Sequence, residues 1–458
     1  MTERYWLSAA LLSMHTDPAG PLGGDVTGGM NVYVREIARA LPSLGVRADV
    51  FTRATGGPRP GDESPEIAEL SPGARLIRIP AGPRKPLDKN HQTPFTGEFA
   101  SGIRRFADEQ GERYGLISSH YWLSALAGQE LAGAWGVPLV HRFHTIAARK
   151  NGSLPGDGGK ESGGRMIAEE GIARRADALV ASSEAEADDL AGMLGSERGK
   201  IDVIPCGVDS ERFSPLPRAR AKKMLGLGER ERVILSVGRI EPIKGLDRLV
   251  RALEAIREMR PDISVSVIHA GGEAGREPQA GSGQTANGLV PGDFNSPAQR
   301  GEVARILGLA GEANLAGSFR FHGARSQEEL RAYYSAADVL AIPSRYETFG
   351  LVALEAAACG LPAVAFDVGG LSGAIETGGS GHLVPEGDIM AFAGAALNII
   401  TSPETRARLA ARARERARDF SWRSAAKRET EVWRKLLRLR AGEPDKKDSP
   451  RRVSPVSG

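Results

Sequence analysis

The chain has 458 residues, 26% charged and 41% hydrophobic, with a formal net charge of +3. That length allows two or three globular domains. The composition excludes a disordered chain, and two cysteines, Cys206 and Cys359, are too few for a disulfide-built scaffold. The charge is too small to argue for nucleic acid, no apolar run approaches the roughly 20 residues of a membrane span, and the first residues lack a secretory signal, so a cytoplasmic location is expected.

Trp6 to Ser13 reads as a buried strand, followed by a glycine-rich loop from Asp17 to Gly29. Val34, Ile37, Ala38 and Leu41 then share one helix face, Gly45 ends that helix, and Val46–Thr52 is the next strand. Leu116–Ser119, Leu139–Phe143 and Ala178–Ser182 continue the series. The pattern restarts at Val233–Val237, with a loop at Gly238–Gly245 and a helix face of Leu246, Leu249, Val250, Leu253 and Ile256. Strands are expected at Ile263–Ile268, Val339–Pro343 and Ala363–Phe366. Short apolar runs alternating with amphipathic helices indicate parallel sheets. The expected class is α/β, two Rossmann-like parallel-sheet domains facing across a cleft. Residues 1–212 form the first and 213–415 the second. A helix at 416–440 packs back on the first, and 441–458 is a disordered tail. Two polar, glycine-rich segments interrupt the order: 146–164 is expected to be functional and 273–300 to be a surface insertion.

Three loops carry chemistry. Gly28 and Gly29 precede the first helix, and Asn31 lies in its first turn; a glycine pair at a helix start suits a phosphate, or is simply a tight turn. Arg239 and Lys244 follow a strand of the second unit, where ligands of open α/β sheets bind. Two cations there suit a diphosphate; surface charge is the plainer alternative. In the third loop Glu347, Thr348, Phe349, Gly350 and Leu351 lead into a helix that contains Glu355. Two carboxylates can accept hydrogen bonds from sugar hydroxyls, and Glu355, set among apolar neighbours, needs a partner. A Walker loop and a Gly-x-Gly-x-x-Gly fingerprint at the first helix are both missing, which argues against a P-loop enzyme and a dehydrogenase.

These three motifs, in this order and spacing, resemble the family 4 retaining glycosyltransferases of the GT-B fold. Glu347 and Glu355 fit that family's E-x7-E signature, and Arg239 and Lys244 its R-x4-K pair; Val203–Asp209 and Gly369-Gly370 support the match. Within the family, Ser13–Thr16, Gly28–Val34 and Ser119–Ser124 look most like the inositol-phosphate glycosyltransferases of mycothiol biosynthesis, with the sucrose-phosphate synthases as a related branch. The resemblance implies transfer of a glucose- or N-acetylglucosamine-type sugar from a UDP-sugar to a phosphorylated polyol or sugar. It implies that Lys89, Tyr121, Thr145 and Arg165 hold the acceptor phosphate, that His15 and Asn31 touch acceptor hydroxyls, and that His144 faces the reacting sugar. Gly28, Gly29, Arg239, Lys244, Glu347, Thr348, Phe349, Gly350, Leu351 and Glu355 would bind the donor, with His144, Arg239, Lys244 and Glu347 catalytic. No D-x-D metal pair follows a strand, so no metal or cofactor is required, while a Mg2+ contribution and a homodimer stay open. A UDP-sugar epimerase of the same fold is the alternative of another reaction class.

Overall fold

The structure, a computed structural model, describes residues 5–20, 28–56, 64–156, 158–272, 289 and 291–442. Eight strands form the first sheet: β1 (Leu7–Leu12), β2 (Val46–Arg53), β3 (Glu66–Ser71), β4 (Ala74–Ile79), β5 (Leu116–His120), β6 (Leu139–Arg142), β7 (Ala178–Ala181) and β8 (Ile201–Val203). Six form the second: β9 (Arg232–Val237), β10 (Val265–Ala270), β11 (Phe319–Phe321), β12 (Val339–Ile342), β13 (Ala363–Phe366) and β14 (Gly381–Val384). Their spatial orders are 3-4-2-1-5-6-7-8 and 11-10-9-12-13-14. Every pairing is parallel except β3 with β4.

The central strands are buried on both faces because helices cover both faces, and most of the buried side chains are apolar. All of β5 is buried, as is β1 apart from Ser8. Edge strand β3 differs: none of its residues is buried, and it carries Glu66 and Glu69. Charge on an exposed edge discourages pairing with another chain.

Both sheets reverse strand order beside their first strand. β1 lies between β2 and β5, and β9 between β10 and β12. Such switch points open crevices at the carboxyl ends of the strands. The loops after β1, β5, β6, β9 and β12 therefore hold most of the candidate residues, and Lys89 follows β4.

The chain returns to its first unit at the end. The Val208 N–H donates to the Phe420 carbonyl (2.8 Å) in the connection between the units. The helix Trp422–Arg440 then packs against the helix Gly29–Ala40. Tyr33 Oη donates to Glu429 Oε1 at 2.5 Å, and Trp433 is fully buried in that seam.

The interruptions differ in part from expectation. Within 146–164 the helix Ala147–Ser153 forms, and Gly163 opens another that runs to Arg175. Most of 273–300 lies outside the described residues; at its end Phe294 and Gln299 are buried while Gly292, Asn295, Pro297 and Ala298 are exposed, and the helix Pro297–Glu312 begins there. The expected tail lies outside the described residues from 443 onward.

Candidate active site

On the first unit, Asn31 builds the glycine loop. Its Oδ1 accepts from the Gly28 N–H (3.1 Å), while its amide donates to Thr16 Oγ1 (2.8 Å) and the Asp17 carbonyl (2.7 Å). Its polar atoms are thus engaged within the loop, holding the helix start open. Gly29 stands close to the second unit: a Cβ there would come within 3.1 Å of Leu351 Cδ1.

Two residues beside this loop are held in backbone conformations that side chains rarely adopt. Tyr121 follows β5 with φ 71° and ψ 151°, and His144 follows β6 with φ 60°. Strain of this kind persists where the surrounding fold over-determines it, commonly at functional sites. His144 Nε2 lies 3.0 Å from His120 Nδ1. Its ring also meets the Tyr33 ring edge-on at 5.4 Å. Burial, with the charge of Arg142 nearby, holds both His120 and His144 well below the usual histidine pKa. They are neutral, so His144 can direct a hydrogen bond but not supply a positive charge. His15 packs on Tyr121 with ring centroids 4.1 Å apart. Burial and the charges of Lys89, Arg165 and Arg239 bring its pKa down to about 3.

The residues expected to hold the acceptor phosphate come together. Arg165 is buried; it donates through Nη1 to Tyr121 Oη (2.8 Å) and through Nη2 to the Thr145 carbonyl (2.9 Å). Lys89 joins it through Glu161, at 2.5 Å from Nζ to Oε1. Lys150 Nζ reaches the same oxygen at 2.7 Å, and Arg165 Nη1 the other at 3.0 Å. Lys150 and Glu161 were not singled out in the sequence. The only signal was their position in the polar segment 146–164, which carries no motif of its own.

On the second unit, Lys244 Nζ pairs with Glu347 Oε1 (2.5 Å), which also accepts from Ser344 Oγ (2.9 Å). Arg239 Nη1 pairs with Glu241 Oε1 at 2.7 Å. Burial works to raise the Glu241 pKa, but Arg239, Lys150, Lys244 and Lys89 outweigh it and hold it low. Cations of both units therefore converge on one space. Gly350 caps the helix Leu351–Ala358 with φ 94°, a conformation suited to glycine. Leu351 then presents its first-turn N–H groups beside Gly29. Phe349 turns away toward Phe420, with ring centroids 6.1 Å apart. It can serve a ligand through its backbone.

Glu355 has the partners its apolar setting demands. It accepts from Tyr334 Oη (2.7 Å) and Gln327 Nε2 (3.2 Å). Burial raises its pKa to about 7. Gln327 Oε1 in turn accepts from Arg35 (2.8 Å) and Arg212 (2.9 Å), so Glu355 is linked to the first unit. A second link is closer to the chemistry: Thr348 Oγ1 donates to the His144 carbonyl at 2.7 Å. Among the described residues no group of three or more His, Cys, Asp or Glu side chains could hold a metal ion.

The pattern described as Glycosyl transferases group 1 matches residues 217–416, and the Glycosyl transferase 4-like domain matches 28–207. A D-inositol 3-phosphate glycosyltransferase from Kribbella flavida is 37% identical over 444 residues, covering 96% of this chain and 98% of that protein. One from Xylanimonas cellulosilytica is 38% identical over 439 residues, covering 94% and 97%. Among solved structures, the sucrose-phosphate synthase of Thermosynechococcus elongatus superposes with a TM-score of 0.80 at 32% identity, covering 94% of this chain and all of that one. HepE from Anabaena shares the fold at a TM-score of 0.71 and 20% identity, with 94% of this chain and all of that one covered. With both rims in place and these likenesses spanning nearly the whole sequence, the chain belongs to the group 1 glycosyl transferases and is a glycosyltransferase of the GT-B fold.

Proposed function

We propose that the enzyme moves a hexose from a UDP-sugar to a small phosphorylated acceptor, with retention at the anomeric carbon; an inositol-phosphate-like polyol fits best. The observation that carries this reading is the cluster of Lys89, Lys150 and Arg165 beside the hydroxyls of Tyr121 and Thr145, opposite Arg239, Lys244 and Glu347. A phosphate monoester needs several cations and hydroxyl donors. The inositol-phosphate relatives and the sucrose-phosphate synthase both carry a phosphorylated compound in their names, which supports the same class.

In this reading the anomeric C–O bond to the diphosphate breaks, and the acceptor oxygen bonds to the same face. The departing diphosphate oxygen takes the acceptor's hydroxyl proton, so no enzyme nucleophile is needed. Catalysis is positioning plus stabilisation of leaving-group charge. Arg239, Lys244 and the N–H groups at Gly29 and Leu351 supply that stabilisation. Glu347 fixes sugar hydroxyls and Glu355 the ribose. Neutral His144 accepts or donates one hydrogen bond to the reacting sugar. Arg239 and Lys244 neutralise the diphosphate, and the rate with and without EDTA measures whether Mg2+ adds to them.

A UDP-release screen tests this, crossing UDP- and GDP-sugars with inositol phosphate, fructose 6-phosphate, glycerate 3-phosphate and unphosphorylated controls. UDP release that is indifferent to the acceptor's phosphate refutes it. Fructose 6-phosphate as the sole acceptor selects a sucrose-phosphate-synthase-like enzyme, the second reading, which the TM-score of 0.80 favours. Conversion of the UDP-sugar without any acceptor, followed by NMR, points instead to an epimerase.

A further inference from the structure

We propose that Glu161 is a positioning residue of the acceptor site: its carboxylate holds the Lys89 and Lys150 ammonium groups against buried Arg165, so that an acceptor phosphate meets a cluster already assembled. This rests on the phosphorylated-acceptor reading above.

Glu161 bridges all three cations, with Oε1 shared by the two lysines and Oε2 facing Arg165. Its side chain is 2% exposed, whereas Lys89 and Lys150 are 25% and 15% exposed. The lysines therefore form the open side of the cluster and the carboxylate lies behind them. Three like charges this close repel one another. Arg165 is fixed by its own hydrogen bonds, but flexible lysines would move into solvent without a shared anion. Burial works to raise the Glu161 pKa, yet Arg165, Lys89 and Lys150 outweigh it and bring it down to about 2. The carboxylate is thus ionised at neutral pH.

A carboxylate that merely fills the phosphate's place would have to leave when the acceptor arrives. Glu161 is built to stay. Its N–H donates to Asn151 Oδ1 (2.7 Å), and its carbonyl accepts from Asn151 Nδ2 (3.0 Å), a reciprocal clamp on its backbone. Arg165 is committed too, with Nε on Glu169 (2.6 Å) and Nη1 on Tyr121 Oη. Because Tyr121 Oη accepts that bond, its own proton is available to an incoming anion. Three cations against Glu161 and Glu169 leave the cluster net positive, as a phosphate requires.

The test is Glu161→Gln, which keeps the shape and removes the charge, beside Glu161→Asp and the full-length wild type. Steady-state kinetics are taken with the phosphorylated acceptor found in the screen and with its dephosphorylated form. Glu161→Gln is expected to raise the acceptor KM about 10-fold or more, by analogy with the lower range for losing the partner that orients a metal ligand. Donor KM and saturating kcat change little, and Glu161→Asp recovers part of the loss. An unchanged acceptor KM overturns the proposal. So does a lowered one, which makes Glu161 a competitor of phosphate, and so does an equal loss in both KM values, which makes it a general structural residue. A wild type that uses both acceptor forms alike overturns the underlying reading and this proposal with it, and that result appears before any variant is measured.

Discussion

Replacing Lys244 with alanine separates its role in turnover from its role in folding. Lys244 Nζ lies 2.5 Å from Glu347 Oε1, and the two side chains are 22% and 14% exposed. A part-buried pair that solvent still reaches lies between an exposed pair and a sealed one and contributes on the order of 1 kcal/mol to folding. Glu347 keeps its bond from Ser344, so it is not left without a partner. Against that, an ammonium and a phosphate oxyanion placed about 4 Å apart, at an effective dielectric near 20, would attract by roughly 4 kcal/mol. The known scale for removing one such donor is about 2.7–4 kcal/mol, or 10²–10³ in kcat. The catalytic effect therefore dominates. Turnover is expected to fall on the order of 100-fold or more, while a loss of about 1 kcal/mol moves Tm by about 2–4 °C, the scale for a cooperative unit of about 200 residues. Initial rates of UDP release at saturating donor and acceptor, with a thermal melt of the same preparation, measure both. A folded Lys244→Ala enzyme with near-normal kcat refutes the reasoning. Because the lysine is paired before donor binds, a double-mutant cycle with Glu347→Gln should also show non-additive losses.

Arg165→Ala should raise the acceptor KM far more than the donor KM in the same assay, since among the described residues its side-chain bonds run to Tyr121, Thr145, Glu161 and Glu169, all in the first unit; equal effects would remove it from the acceptor site. Glu355, with its pKa raised to about 7, favours its protonated form when folded. Its stabilising contribution is complete below the unfolded value near 4.5 and is lost as pH rises through 7. Chemical denaturation across pH 4 to 8 should therefore show a smaller loss of stability between about pH 4.5 and 7 for Glu355→Gln than for wild type, and parallel profiles would refute the assignment. Tyr33→Phe removes the donor to buried Glu429 and should cost about 1–3 kcal/mol, read as a lower denaturation midpoint. No change there would mean that the seam under the C-terminal helix does not depend on that bond.

How much of this was legible in the chain follows from burial. Strands β1, β9, β12 and β13 are mostly apolar runs, because both their faces are covered, while β2 and β5 also bury Asp49, Ser118, Ser119 and His120; all six stand where the pattern put them to within a few residues. β3 escaped notice because an exposed edge has no apolar signature, while β8 and β11, of three residues each, are too short to show a period. The acceptor cluster shows the same limit more sharply. Lys89, Tyr121 and Arg165 were singled out through a resemblance, but Lys150 and Glu161 sit in a segment whose composition reads only as polar loop.

The sequence by itself determined the two α/β units, the glycine loop of the first and the Arg239–Lys244 and Glu347–Glu355 spacings of the second, since these depend on local periodicity and on residues a few positions apart. Tertiary structure decided which charges meet. Lys89 and Glu161 are 72 positions apart, and Lys244 and Glu347 are 103 apart. The link from Thr348 to His144 spans 204. The first two pairs meet within one unit, where parallel pairing sets loops from different strands side by side at the carboxyl end of one sheet, and only the third needs the two units to face each other; at those strand ends the charges of this protein are assembled.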